Sequence, residues 1–410
     1  MRLRLLLLAL GAFAMGTDTM VMAGILGRIS GDLGVSVPAA GQLVTVFALS
    51  YALLAPVLAT VTARWPRRRL LLVALTVFTV ANALSALAPD YPTLLATRVL
   101  AAAGAALYTP AASAAATALA PPERRGRAIA TVLGGMTVAT ALGVPLGTYV
   151  GRADWRLTMW LVTALGAVAL LGLAAFLREL PAPAHSVGLR ERMAPLRDRR
   201  VLGAVATTFT FFVAFQSVYI YLGTAVRPAT GGDADRLSAV LLATGVASVA
   251  GSWLGGRAVD RWGVRKVLLV GSTIAIACFA ALPWLGRTMP GTFAYALLVP
   301  LAGWSISVAQ PHRLASLNPG NAPLLLSLNS SALYLGMAAG GTAGSLAIAL
   351  LGERWFPLAA SVLGVAALVL AAGTTRPTTT ATGKAPAGTP VGTSAPDAAP
   401  APAPARSTTG

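Results

Sequence analysis

Residues 157–177 read LTMWLVTALGAVALLGLAAFL, an apolar run without a single charged side chain. An α-helix rises about 1.5 Å per residue and the hydrocarbon core of a bilayer is about 30 Å thick, so roughly 20 apolar residues span it. The run has that length, and charged residues, Arg156 and Arg178, flank it on both sides. The stretch therefore predicts one membrane-spanning helix.

Similar runs recur along most of the chain, separated by charges, Gly/Pro clusters or short polar loops. Besides 157–177, the predicted spans are 5–27, 40–60, 70–88, 92–118, 128–150, 201–225, 237–256, 265–285, 291–311, 324–351 and 356–373. Of the 410 residues 56% are hydrophobic and 11% are charged, whereas an average soluble domain is about a quarter charged. The sequence predicts an all-α membrane protein with twelve transmembrane helices. Its first residues resemble a signal peptide, but the spans that follow favour an uncleaved first helix.

The basic residues are distributed unevenly between alternate loops. A net charge of +18 would suit a polyanionic partner, but the arginines are interleaved with apolar runs, which argues against nucleic-acid binding. If Arg2 and Arg4 are cytoplasmic, the loops after spans 2, 4, 6, 8 and 10 are also cytoplasmic and hold most of the arginines. This is the positive-inside pattern. It predicts a multi-pass protein of the plasma (inner) membrane with both termini in the cytoplasm.

The charge and composition also divide the chain. We expect a six-helix half at 1–177, a cytoplasmic linker at 178–200, a second six-helix half at 201–373 and a disordered cytoplasmic tail at 374–410. The tail is rich in Ala, Pro, Thr and Gly and lacks the apolar residues needed to offset its ordering entropy. A lone cysteine, Cys278, and two distant histidines predict no disulfide, no metal site and no cofactor.

Two loops carry a gating motif. Residues 256–266 read GRAVDRWGVRK, and residues 59–68 read ATVTARWPRR. The first resembles the G-x-x-x-D-R-x-G-R-R signature of the major facilitator superfamily, with one inserted residue; the second keeps the basic residues but lacks the acid and the glycines. A glycine permits close helix approach, and an acid can pair with a basic residue or a helix N-terminus. The resemblance implies a gate on the cytoplasmic side, formed by Gly256, Asp260, Arg261, Gly263, Arg265, Arg64, Arg67 and Arg68.

Further stretches refine the resemblance. Residues 94–106 are similar to the family's fourth-helix arginine motif. Gly143, Pro145 and Gly147 form G-x-P-x-G, which resembles the fifth-helix motif of exporters and also suits plain helix packing. With PPERRGRA at 121–128 and SLNSSALYLG at 327–336, the chain looks like the proton-driven drug- and sugar-efflux branch related to arabinose efflux permeases. The resemblance covers residues 1–373 and implies two pseudo-symmetric halves and a monomer.

Two charges lie inside predicted spans. A charge at the bilayer centre costs on the order of 3 kcal/mol or more, so such residues are functional candidates. Asp18 suits a carboxyl that binds and releases a proton, or a structural cap near the outer rim. For Arg98 the resemblance implies a proton relay, against a fixed ion pair. We predict proton coupling at these two residues.

Polar and aromatic side chains in otherwise apolar spans are candidates for the substrate cavity. These are Tyr51, Asn82, Tyr108, Phe212, Gln216, Tyr219, Trp304 and Asn329. Each could also serve helix packing or lie at the membrane interface.

The favoured function is secondary active transport: proton-coupled efflux of a small amphipathic molecule, drug or sugar, by alternating access. Its expected partners are that substrate, protons and the lipid bilayer. The alternatives are a proton symporter or uniporter that imports a metabolite, and a membrane protein that is no transporter. The sequence has no H-E-x-x-H, G-x-S-x-G or phosphate-loop motif, which argues against an enzyme.

Overall fold

The computed structural model describes residues 2–62, 64–121, 124–177, 194–318 and 322–374. Every regular element in these ranges is a helix. Most of the predicted linker and nearly all of the predicted tail lie outside them.

Six long helices make up the first half of the chain. They are α1 (Arg2–Asp32), α2 (Val37–Val61), α3 (Arg67–Ala86), α4 (Tyr91–Leu119), α5 and α6 (Trp155–Phe176). Helix α5 has three parts, an α-helical Arg125–Val138, a π-helical Ala139–Gly143 and an α-helical Val144–Val150.

Six more follow in the second half. They are α7 (Arg199–Tyr219), α8 (Ala234–Trp262), α9 (Val264–Leu285), α10 (Met289–Leu317), α11 (Ala322–Trp355) and α12 (Pro357–Thr374). Two short helices, Leu222–Ala225 and Arg227–Thr230, lie between α7 and α8. In the described part of the chain, eleven helices are long and apolar enough to cross a membrane, and α12 has a shorter apolar stretch, Pro357–Gly373. The predicted twelve-helix, all-α membrane fold is confirmed.

The helices extend further than their apolar runs. Helix α8 continues through Arg257, Asp260 and Arg261 to Trp262, although the hydropathy pattern predicts an end at 256. Charged side chains end a hydrophobic run without ending a helix, because arginine is a good helix former. The helix ends at Gly263, whose φ of +80° is a conformation that side chains other than glycine rarely adopt.

Aspartates fix the starts of four helices. Asp90, Asp154, Asp198 and Asp233 accept hydrogen bonds from backbone N–H groups in the first turns of α4, α6, α7 and α8. These caps satisfy donors that a helix start leaves unpaired. A considerable share of the few acidic side chains therefore has a local structural role.

The helices pack mainly within their own half of the chain. Helix α1 packs on α5 and α6, and α3 on α4 and α6; in the second half, α7 packs on α11 and α12, and α10 on α8 and α9. Contact between the halves runs mainly through two pairs, α2 with α11 and α5 with α8, and α1 makes smaller contacts with α8 and with the short helix Leu222–Ala225.

The two faces of the bundle differ in charge. At one face, Arg4 and Arg68 donate hydrogen bonds to carbonyls at the end of α6, near Phe176. We call this the arginine-rich face. Helix α8 starts at the other end of the bundle, where Arg152 contacts Asp235, so Gly263 also lies on the arginine-rich face. The other end of the bundle is called the opposite face.

Candidate functional site

Asp18 and Arg98 form a two-pronged ion pair between α1 and α4. Arg98 Nη1 lies 2.8 Å from Asp18 Oδ1, and Nη2 lies 3.0 Å from Oδ2. Both side chains are buried, with 0% of Asp18 and 1% of Arg98 exposed. A paired guanidinium and carboxylate satisfy each other's charge where no water can do so.

The surroundings of the pair leave one polar group unsatisfied. The Arg98 guanidinium carbon lies 4.7 Å from the centroid of the Phe47 ring on α2, within range of a cation–π contact. Its Nε is buried and has no hydrogen-bond partner. Helix α1 runs to Asp32, so Asp18 lies near its middle and about 20 Å from its end, deeper than the apolar run predicts.

The π-helical segment of α5 lies beside this ion pair. A methyl group built on Gly143 would collide with the Thr17 hydroxyl, and one on Gly147 would lie 2.6 Å from the Val21 side chain. Thr17 is the chain neighbour of Asp18. Glycines 143 and 147 of the predicted packing motif therefore let α5 approach α1 at the level of the buried charges, and buried Pro145 lies between them.

Aromatic side chains meet where the two halves touch. The rings of Tyr51 on α2 and Tyr334 on α11 stack with centroids 3.7 Å apart and planes 18° apart. On α7, Phe215 stacks on Tyr219 at 5.7 Å, and Phe212 meets Phe215 edge to face at 6.4 Å. Predicted cavity residues Tyr51, Phe212 and Tyr219 thus belong to the α2, α7 and α11 region, whereas Tyr334 was missed although it lies in a quoted motif.

The other predicted cavity residues are more dispersed. Gln216 is buried on α7 with its Oε1 unpaired, and Asn329 on α11 accepts a hydrogen bond from Thr208 at 2.7 Å. Tyr108 donates to the Leu8 carbonyl, and Asn82 donates to the Phe78 carbonyl within α3. Trp304 is half-buried on α10. The roles of all eight side chains stay predictions.

Comparisons with known proteins establish the family. A sequence model described as Major Facilitator Superfamily matches residues 8–318. The chain belongs to the Major Facilitator Superfamily. It is a transporter of small molecules rather than an enzyme.

Two relatives and one solved structure illustrate the likeness. A chloramphenicol resistance protein of Streptomyces lividans is 32% identical over 384 residues, covering 93% of this chain and 98% of the relative. A chloramphenicol efflux pump of Mycobacterium tuberculosis (strain CDC 1551 / Oshkosh) is 35% identical over 299 residues, 72% of each chain. A bacterial homologue of the human lysosomal transporter Spinster, solved in an inward-facing, occupied conformation, superposes with a TM-score of 0.75 at 19% identity, covering 90% and 96% of the chains.

The predicted gating residues of this facilitator lie on the arginine-rich face. Asp260, Arg261, Gly263 and Arg265 are exposed there, and the Asp260 carboxylate has no ion pair or hydrogen bond in the described part of the chain. Helix α8 approaches α10 closely at Gly251 and Gly255, where added methyl groups would be 2.6 Å from the Leu301 carbonyl oxygen and 2.7 Å from Ser305 Cα, whereas Gly256 has open space.

The first-half arginines of the predicted gate have different partners. Arg67 donates to the Ala114 carbonyl on α4, and Arg68 donates to the carbonyls of Leu177 and Ala174. Arg64 is exposed. Arg67 and Arg68 therefore fasten the start of α3 to helices of the same half.

Contacts between the two halves of this transporter concentrate toward the opposite face. Among the described residues, Arg152 pairs with Asp235 at 3.3 Å, and the hydroxyls of Tyr219 and Tyr221 donate to carbonyls of Met20 and Pro38. A cleft of about 400 Å³ at this face is lined by both halves. The sequence did not predict the Arg152–Asp235 contact, because nothing in the local pattern joins residues 83 positions apart.

Proposed function

We propose that this facilitator exports a small amphipathic molecule in exchange for protons, by alternating access. The buried Asp18–Arg98 pair carries the proposal. The guanidinium holds both carboxylate oxygens, so in the proposed cycle the pair opens before Asp18 exchanges a proton. Protonation of an Asp18 oxygen therefore accompanies opening of the pair, and helix movement between α1 and α4 is the step that proton uptake would drive.

The orientation follows from charge. The arginine-rich face would be cytoplasmic under the positive-inside rule, with both termini on that side of the plasma (inner) membrane. The halves touch mainly toward the opposite face, which supports the inference that substrate enters from the cytoplasm in this state. The transporter acts as a monomer, with the halves 1–177 and 201–373 rocking about the Tyr51–Tyr334 contact.

The substrate class is supported by the relatives and by the aromatic region. Two similar proteins are named for chloramphenicol resistance or efflux. Tyr51 and Tyr334 stack between the halves, and Phe212, Phe215 and Tyr219 form an aromatic row on α7, where the Tyr219 hydroxyl reaches Met20 of the first half. Such rings suit an aromatic, partly polar molecule. Chloramphenicol is therefore the first substrate to test.

Purified protein in liposomes with an imposed pH gradient tests export directly. Chloramphenicol is expected to move up its gradient while protons move the opposite way, and collapse of the gradient with an ionophore should stop the uphill movement. Liposomes without protein provide the background rate. Protons and substrate that move in the same direction would indicate a symporter and overturn antiport, and transport insensitive to the pH gradient would overturn coupling.

The Asp260→Asn variant tests the gate. Asp260 is exposed and unpaired in this state, so thermal stability and KM are expected to stay unchanged, while turnover falls several-fold because the carboxylate acts only when the arginine-rich face closes. Glu353→Gln, an exposed carboxylate at the opposite face, is the matched control and should keep normal turnover. A change in KM alone for Asp260→Asn would contradict the gating role.

A further inference from the structure

Arg313, near the arginine-rich end of α10, is a buried cation without a partner. Only 6% of it is exposed, and both terminal nitrogens, Nη1 and Nη2, are buried with no hydrogen-bond partner. No ion pair within 4.0 Å involves it in the described ranges. An uncompensated buried charge strongly disfavours the folded state, so such a residue calls for a function.

A second unpaired group lies one turn away on the same helix. Gln310 is 1% exposed; its Nε2 donates to the Ala204 carbonyl on α7 at 3.3 Å, while its Oε1 is buried without a donor. Thr208 contacts the same carbonyl at 3.4 Å and donates to Asn329 on α11. A polar network thus joins α7, α10 and α11 and leaves an open acceptor at Gln310 Oε1. One turn away, both terminal nitrogens of Arg313 are unpaired donors.

The electrostatics around Arg313 are positive. In α7, α10 and α11 the acids are absent from the half nearest the arginine-rich face, and Asp198, just before α7, is engaged as the helix cap. Leu314, the next residue after Arg313, packs with Leu325 and Leu328 in the first turns of α11, and the start of a helix is itself electropositive. Asp260, on the neighbouring helix α8, forms no ion pair with Arg313 within 4.0 Å, so among the described residues no acid pairs with this guanidinium. An anion brought by a ligand would supply the missing counter-charge.

We propose that Arg313 and Gln310 form a subsite for the acid group of an amphipathic organic anion, and that such anions are substrates of this transporter. The planar guanidinium offers two parallel donors that match the two oxygens of a carboxylate. Gln310, whose backbone lies roughly 4.5 Å from that of Arg313 along the helix axis, would accept through Oε1 from a hydroxyl or N–H group of the same molecule. The inference rests on the proposed export function, because it assigns the substrate of that same transporter.

Three probes separate the two contacts. They are 3-hydroxyphenylacetate, its uncharged amide, and phenylacetate, which lacks the hydroxyl. The measurement uses full-length protein in nanodiscs of neutral phosphatidylcholine. Its melting temperature is expected to rise with 3-hydroxyphenylacetate, to rise less with phenylacetate, and to stay unchanged with the amide. Gln310→Met should remove the difference between the two acids and keep the response to both.

The Arg313→Met variant separates the subsite from a structural role. A structural role predicts a lower melting temperature for this variant, and the subsite predicts a higher one. Without a probe it is expected to melt at a higher temperature than the wild type, since an unpaired charge is gone, and it should lose the response to both acids. Arg287→Met, an exposed arginine at the opposite face, controls for the loss of one charge and should keep wild-type responses. A lower melting temperature for Arg313→Met with no probe response in the wild type would overturn the subsite.

A separate experiment tests whether the acid group comes from a soluble molecule or from a lipid. Nanodiscs that contain phosphatidylglycerol test whether a lipid phosphate occupies Arg313; stabilisation by this lipid, with no response to the soluble acids, would overturn the substrate assignment. The melting experiment needs no transport. A chloramphenicol exporter that ignores the acids would refute only this inference, and a chain that binds them without any transport would refute only the proposed export.

Discussion

Replacing Asp18 by asparagine is expected to abolish proton-driven transport and to lower the free energy of unfolding by about 3–5 kcal/mol. The substitution removes the proton-binding carboxylate and leaves Arg98, 1% exposed, without its counter-charge. The amide oxygen of asparagine still accepts one hydrogen bond, so the fold should survive at reduced stability. Thermal unfolding of the purified protein and substrate flux under a pH gradient measure the two effects.

A paired variant separates the two causes of failure. Asp18→Asn combined with Arg98→Gln removes both charges, so stability should return toward the wild-type value because no uncompensated charge is left. Transport should stay lost, since no group there binds a proton. Full proton-coupled activity in either variant would remove Asp18 from the mechanism, and an inactive but fully stable Asp18→Asn protein would contradict the energetic account of the pair.

The second large effect is expected at Gly135. A methyl group at this position would overlap the backbone carbonyl of Ala9 on α1, and backbone yields less easily than a side chain. Gly135→Ala should therefore push α5 away from α1 and lower stability by about 1–3 kcal/mol, as overpacking does. The melting temperature in detergent and the yield of folded protein report it.

The neighbouring glycine is a matched control. Gly134 lies on the same helix with open space where a methyl group would be placed, and alanine is the better helix former by about 1 kcal/mol. Gly134→Ala should therefore leave the melting temperature unchanged or raise it slightly. Equal losses in both variants would mean that helix flexibility, rather than the contact with Ala9, is what the glycines provide.

The fold could be predicted from the sequence because the bilayer imposes it. A span must be about 20 apolar residues long, and twelve such runs are visible. Helix ends were less predictable. Hydropathy stops at the charges of α8, whereas the helix stops at Gly263, and Pro300 and Pro311 lie inside α10 because neighbouring groups can satisfy the freed carbonyls of a transmembrane helix.

The candidate site was predictable in its residue types and unpredictable in its pairings. Asp18 and Arg98 could be singled out because charge is costly in lipid, yet their contact joins residues 80 positions apart. The apolar run ends at Pro311, so the sequence predicts a loop at Arg313, whereas α10 continues to Leu317. Likewise the close approach of α8 falls at Gly255 rather than the motif residue Gly256, because side-chain direction depends on how a helix is rotated in its bundle.

The π-helical turn at Ala139–Gly143 sets the angular phase of the rest of α5. A π turn holds one residue more than the α-helical turn that it replaces, so it is structurally equivalent to a one-residue insertion. Deleting a single residue there would restore a regular α-helix and leave the two flanking parts in nearly the same phase, whereas an α-helical turn that kept every residue would rotate everything beyond it by about 100°. In that second case Gly147 and Thr148, which face Val21 and Gly24 on α1, would turn away from that helix, although the sequence would be unchanged.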